Sequence, residues 1–398
     1  MRERWVLRPL DEVLRQIHRP VSVAALDVVP FAGVRWYAEG VYPRDEQAAA
    51  TVKTRALNRI EAGDIVYNRM WATKASFGVV RNDAHGCLVT NDFPVFQATD
   101  GALSDFVGLL FKWEPFQRSA AASATGTTER RRLNEKEFVK LQVPVPPLGE
   151  QRRIVNLISA LDDTIDRLLE CAAAASAAQG SLRRYLLEGG TKFRKKTVGE
   201  VAQAVTGRAF PARFQGRAAG VYPYIKCSDM NADGQELVMS GATNWIDESV
   251  SEQLGAKILP TGTVIFPILG AALATEKRRV LGLPAAFDQN VMGLVPGPSI
   301  TSDFLLAVMS ETSLTRLSQQ GAVPSVNQSI VSSISIPLPS LDEQRRIGGL
   351  LAASAEGVRK ARQAAAALRT VRKHTLNSLL SGVHEIPESY DELMGEAS

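Results

Sequence analysis

Three consecutive cations, Lys277, Arg278 and Arg279, follow the apolar, strand-like run TVIFPILGAALA in the polar stretch TEKRR (275–279). Cations grouped in this way hold an anion or donate to a pair of adjacent acceptors. Farther on, SQQGAVPSVNQS (318–329) gathers Gln319, Gln320, Ser325, Asn327 and Gln328 in a loop broken by Gly and Pro. Each amide carries donor and acceptor side by side, which suits an edge that offers both. The first half of the chain has weaker counterparts. Asn68, Arg69 and Lys74 follow GDIVY, and Arg130 and Arg131 lie in TGTTERRR (125–132). Taken alone, any one of these is equally a solvated surface group.

Nothing in the sequence is spaced for catalysis. There is no G-x-x-x-x-G-K-[ST] phosphate loop, no G-x-S-x-G elbow, and no acid followed two residues later by Lys. The usual amino-methyltransferase signature is missing as well. His18, His85, His374 and His384 share no ligand spacing with one another or with Cys87, Cys171 and Cys227, so no metal site is expected. Three scattered cysteines suit a reducing cytoplasm. No run approaches 18 apolar residues, so no membrane span is expected. The chain reads as a binding protein.

An internal repeat sets what must position these loops. PLGEQRRIVNLISAL (147–161) is nearly copied by SLDEQRRIGGLLAAS (340–354), with Gln151 and Gln344 193 residues apart. The same offset joins VPVPPL to IPLPSL and Asn134 to Asn327. Each copy opens a long helix. In the first, Ile154, Ile158, Leu161, Ile165 and Leu168 alternate spacings of four and three, continued by Ala172, Ala175, Gln179, Leu182 and Leu186. In the second, Ile347, Leu351, Val358, Leu368 and Leu379 fall at the matching positions, with Ser354, Ala361, Ala365, Arg372 and Thr375 between them. That period is a coiled-coil seam. Ser340 and Glu343 predict a capping box for the second helix, where the first has Pro147. Gly189 and Gly382 predict the stops.

The segments before the helices match faintly: GVRWY with GVYPY, IEAGDIVYNRM with LPTGTVIFPIL, and SDFVGLL with SDFLLAV. The expected fold is therefore α+β. Two globular α/β domains (1–143 and 191–336) are separated by two long helices (144–190 and 337–384) that pair with each other as a coiled coil, with an internal pseudo-twofold repeat. Net charge is +4, and residues 337–384 carry eight Lys or Arg against three acids. Residues 385–398 hold five acids and no Lys or Arg, and are expected to be disordered. A mildly basic body is compatible with a polyanionic partner without demanding one.

The pair PVPPLGEQRRIVNLISALDDTIDRL and PLPSLDEQRRIGGLLAAS, each preceded by such a domain, resembles the specificity (S) subunit of type I restriction–modification systems. GDIVYNRM and GTVIFPILGAALATEKRR…DQNVMGL resemble the target recognition domains of that family, and the likeness spans nearly the whole chain. The resemblance implies that each domain reads one half of a split, asymmetric double-stranded DNA site, with the two long helices packed antiparallel as a ruler between them. It implies docking of two modification (methyltransferase) subunits that bring S-adenosylmethionine, and of restriction subunits that use ATP and magnesium, with no cofactor in this chain. The polar residues singled out above then become base and phosphate contacts. Arg359, Lys360, Arg362, Arg369, Arg372 and Lys373 either track phosphates or solvate the outer face of the second helix. Two other readings stay open: a coiled-coil assembly adaptor that reads no DNA, and an enzyme with degenerate motifs.

Overall fold

The computed structural model describes residues 5–126, 131–188, 193–232, 234–319 and 323–395. The chain forms two compact units, residues 1–168 with 363–398 and residues 169–362. The division falls inside both long helices, Leu148–Glu188 and Leu341–Leu380, so each unit holds one globular domain, the start of one helix and the end of the other.

In unit 1 an antiparallel sheet runs in the order Phe77–Val79, Ile65–Tyr67, Val95–Ala98, Leu14–Ile17. A second, three-stranded sheet orders Leu88–Val89, Ala56–Arg59 and Pro20–Ser22. In unit 2 the main sheet orders Ala202–Thr206, Val291–Pro296, Val264–Pro267, Arg279–Leu281 and Val238–Met239, the last pair parallel. Each domain is closed by its ends. Val6–Pro9 pairs antiparallel with Gln142–Val145, and Arg194–Thr197 with Ser335–Leu338. The domains therefore run two residues past the expected limits of 143 and 336, and the Pro-rich hinges lead straight into the helices.

A buried aromatic cluster fills unit 1. Tyr67 stacks on Phe138 at 4.4 Å, and Phe77 on Phe111 at 5.2 Å. The Tyr67 hydroxyl donates to the Leu133 carbonyl at 3.1 Å, which satisfies its one polar atom. The same core takes in Ile154 and Ile158 from the first helix and Leu376, Leu379 and Leu380 from the second. In unit 2, Phe266, Met292, Phe304 and Leu305 share a core with Ile347 and Leu351, and Leu182, Leu186 and Leu187 pack against it. Start meets end in both units, so the helices pair antiparallel as expected.

Every seam position of the four–three series is buried or half-buried. Ile165 and Val358 are buried, and Leu161, Leu168 and Leu368 half-buried. Polar members of the seam find partners. Gln179 donates from Nε2 to the Leu351 carbonyl at 3.2 Å. Arg372, its counterpart in the repeat, forks onto Asp162, with Nη2 2.7 Å from Oδ2 and Nε on Oδ1.

The repeated Gln explains the repeat. In unit 1 the Gln151 side chain accepts from Leu103 N at 2.9 Å and donates to the Gly101 and Pro146 carbonyls at 3.0 and 2.8 Å. In unit 2 the Gln344 side chain accepts from Thr301 N at 2.9 Å and donates to the Ser299 and Pro339 carbonyls at 2.9 and 3.0 Å. Both amides are fully buried. Each ties the first turn of a long helix to its own domain.

Two expectations are corrected, the capping box and the disordered end. The Ser340 hydroxyl accepts from Glu343 N at 3.3 Å, but the Glu343 carboxylate turns to Arg346 at 2.7 Å, so only half of the capping box forms. Gly382, at φ +70°, does end the second helix, while Gly189 lies outside the described residues. The acidic end is not free through residue 395. Ile386 is buried in the unit 1 core, Tyr390 packs against it and opens the helix Tyr390–Gly395, and Asp391 pairs with Arg153 at 2.9 Å. Two apolar side chains inside an acidic stretch suffice to dock it. Among the described residues, no helix is long and apolar enough to cross a membrane.

Gln344→Leu, of similar volume, leaves Thr301 N and two carbonyls unpaired in a buried site. Each orphaned group costs about 1–3 kcal/mol, so urea unfolding should show a clear loss of stability, and Gln151→Leu should match it. Deleting residues 385–398 uncovers the Leu376–Leu380 surface. The expected loss is about 2–4 kcal/mol, from one fully and one partly buried side chain, read from the same unfolding curves.

Candidate nucleic-acid interface

The polar residues singled out in the sequence gather at one place in each domain. In unit 1 the chain leaves the strand Ile65–Tyr67, makes the 3-10 turn Arg69–Lys74, and returns as Phe77–Val79. In unit 2 it leaves Val264–Pro267, makes the short helix Gly270–Ala274, and returns as Arg279–Leu281. Both excursions turn back through a left-handed residue that is not glycine, Ala75 at φ +52° and Glu276 at φ +49°.

The two tips share a backbone plan. Arg69 N donates to the Asp92 carbonyl at 3.0 Å, and Ile268 N to the Asn290 carbonyl at 2.9 Å. Leu133 N donates to the Arg69 carbonyl at 3.1 Å, and Val326 N to the Ile268 carbonyl at 3.0 Å. The next residues, Asn134 and Asn327, cap helices. Asn134 Oδ1 accepts from Glu137 N at 3.0 Å and Asn327 Oδ1 from Ile330 N at 2.9 Å. Each tip thus joins a hairpin excursion, the start of a neighbouring strand and the loop before a capped helix.

Asn327, singled out as a base contact, is exposed and spends its side-chain oxygen on a helix start, which leaves only its amide nitrogen to face outward. The reading of Arg278 as a contact is corrected. It is buried, with Nε on the Met309 carbonyl at 3.2 Å, Nη2 on the Thr312 carbonyl at 3.2 Å and on Glu276 at 2.6 Å, and Nη1 on the Lys277 carbonyl at 3.0 Å. Burial lowers its pKa, opposed by Glu276. A guanidinium so placed braces the tip from inside. Arg131 folds back on the helix Glu114–Ser123, donating to the Ala124 carbonyl at 2.6 Å and the Ala122 carbonyl at 3.3 Å. It caps that helix rather than facing outward. Ser325 is half-buried and its backbone bridges Leu269 and Gln319.

The remaining residues lie nearer the surface. Lys74 and Gln319 are exposed. Lys277 reaches the Asn231 side chain. Arg69 pairs with Glu135, and Asn68 Oδ1 accepts from Met70 N at 2.9 Å. Arg279 is half-buried. It donates to the Arg278 and Met230 carbonyls at 2.8 and 3.0 Å and leaves Nε unpartnered. Arg130 lies outside the described residues.

Glu276 organises the second tip. Desolvation would raise its pKa, but bonds from Thr315, Arg278 and Ser313 outweigh that and hold it at about 2. Its carboxylate accepts from Thr315 N and Ser313 Oγ, both at 2.9 Å, and so ties the 275–279 stretch to the segment that leads into Gln319. The Asp288–Gln289–Asn290 turn also belongs here. Asn290 N donates to Asp288 Oδ1 at 2.9 Å, while Gln289 is exposed between them. In the sequence this turn is marked by three successive polar side chains between apolar strands.

Residues 30–170 and 191–356 match the family model described as the type I restriction modification DNA specificity domain. The specificity subunit of the type I restriction enzyme MjaVIII of Methanocaldococcus jannaschii is 22% identical over 293 residues, which are 69% of each chain. Two solved structures share the fold. One, from work on complex assembly and conformational transition of the type I R-M system, superposes with a TM-score of 0.60 at 19% identity, covering 95% of this chain and 98% of that one. The type I restriction–modification S subunit from M. genitalium gives 0.56 at 14% identity, covering 94% and 96%. With most of both domains and the start of each long helix inside the matched residues, the chain belongs to the type I restriction modification DNA specificity domain family.

Proposed function

We propose that this chain gives a type I restriction–modification complex its DNA sequence specificity, the tip of unit 1 reading one half of a bipartite, asymmetric site and the tip of unit 2 the other. The carrying observation is that the two tips share their backbone hydrogen bonds and differ in their side chains. Unit 1 exposes Lys74, and unit 2 exposes Gln289 and Gln319, with Lys277 half-buried and reaching Asn231. A shared frame with different outward groups is what two readers of different sequences require. Cations position the duplex through its phosphates, and amides discriminate base edges.

The exposed faces of the long helices are left for two methyltransferase subunits, which would supply S-adenosylmethionine. Restriction subunits would supply ATP and magnesium chemistry. This chain contributes no active site, and it works in the cytoplasm, where its DNA lies.

Methylation mapping of host DNA, with the full chain produced beside its methyltransferase, tests this reading. Replacing Lys277 and Gln319 together by Ala should weaken binding and relax base preference in one half-site. The other half-site should stay unchanged, as should the melting temperature. Altered preference in both halves would defeat the modular assignment. Arg278→Ala should behave differently. Removing a buried, paired guanidinium costs about 3–5 kcal/mol, so thermal unfolding should shift well before any change confined to one half-site is seen.

A further inference from the structure

Trp36, Tyr37 and Trp71 are the exposed aromatic side chains among the described residues of unit 1, at 44, 64 and 38% exposure. They form one patch, with the Trp36 and Trp71 ring centroids 5.2 Å apart and their planes inclined by 44°. The backbone beneath them is strained. Four non-glycine residues adopt positive φ among those described, and three are Tyr37 at +58°, Ala38 at +56° and Ala75 at +52°. Ala38 N donates to the Ala75 carbonyl at 2.7 Å and locks the two turns together. Such residues persist where their surroundings over-determine them, and they cluster where a protein meets a ligand.

The patch is continuous with the reading tip. Trp71 stands between Arg69 and Lys74 in one 3-10 turn. Lys74 and Arg35, both exposed, belong to the same two turns, the Arg35 guanidinium lying over the Tyr42 ring at 4.5 Å, and Glu39 is the acid of the first turn. Rings beside cations match the chemistry of a nucleic acid, since a base offers its π-face to the ring while neighbouring phosphates meet the cations. The tip of unit 2 exposes aliphatic groups instead, Leu269 and Val323.

We propose that Trp36 and Trp71 form a stacking wedge against the bases of the half-site read by unit 1. The proposal rests on the DNA-reading assignment above and adds the groups by which one half is read. Ring contact favours steps that unstack easily, so this half-site carries a preference set by deformability as well as by hydrogen bonds.

The test uses the full chain with its methyltransferase, and compares Trp36→Ala/Trp71→Ala and Trp71→Phe with wild type. Host-genome methylation mapping first supplies the site. A duplex bearing that site, with 2-aminopurine in the half read by unit 1, then serves as the probe. Wild type should change the 2-aminopurine fluorescence and the double variant should not. The double variant should bind about tenfold or more weakly and relax only that half-site, the other half-site still being read normally, which shows that the chain is folded. Trp71→Phe should restore most of the binding. Wild-type affinity and wild-type half-site preference in the double variant would overturn the wedge. Full DNA affinity with lost methyltransferase co-purification would overturn it as well, by assigning the rings to a protein contact. A wild-type complex that marks no bipartite site would instead overturn the DNA-reading assignment, whatever the variants do.

Discussion

Everything in each unit hangs on a buried primary amide. Gln151 and Gln344 each make three bonds to backbone groups, one accepted and two donated. A carboxylate there could not donate, and an aliphatic side chain would strand three polar groups. The amide fixes where the helix begins relative to its domain and which face its first turn shows the core. Ile154 and Ile347, three residues on, then fall into the aromatic or Met-rich interior, and the four–three series carries that face along the helix. A short motif so sets the orientation of some forty residues in each copy.

The seam tolerates divergence where the amide does not. At one repeated position the copies carry Gln179 and Arg372, and each solves burial differently, one on a backbone carbonyl and one on a carboxylate. The domains show the same division. Matching bonds hold Arg69 and Ile268 to the neighbouring strand, and Leu133 and Val326 to those two residues. The side chains that project from this frame share little. Backbone bonds carry no information about which side chain is attached, so the frame can be duplicated while the surface changes.

This division also decides what the sequence could show. The repeat, the long helices and their seam were legible because they rest on spacing, and spacing survives in a string of letters. Gln151 and Gln344 were visible as repeated letters, though their bonds were not. The contact residues were legible only as types. Arg278, Arg131 and Lys74 look alike in sequence, yet the first is buried among carbonyls, the second caps a helix and the third faces solvent. A guanidinium has five donors and no rule that sends them outward. Asn327 was singled out for its amide, and the repeat held its capping role, because Asn134 stands at the same offset and caps the same kind of helix. The acidic end misled for a related reason. Composition averaged over 385–398 hides Ile386 and Tyr390, and two well-placed apolar groups outweigh five dispersed acids.

The commitment of the tip guanidiniums bears on how such a surface would discriminate. Of the described cations first assigned to DNA, Arg131 and Arg278 serve the fold and Arg69 is paired with Glu135. Lys74 and Lys277 remain towards the surface. Non-specific affinity grows with the number of phosphates neutralised, whatever the sequence. Few outward cations keep that background low, and a low background raises the ratio of specific to non-specific binding on which selection among many competing sites depends. Amides and rings add affinity only where the bases fit them. A tip whose assigned arginines mostly serve the fold has fewer cations for phosphates, and its hold on a duplex comes to depend more on sequence.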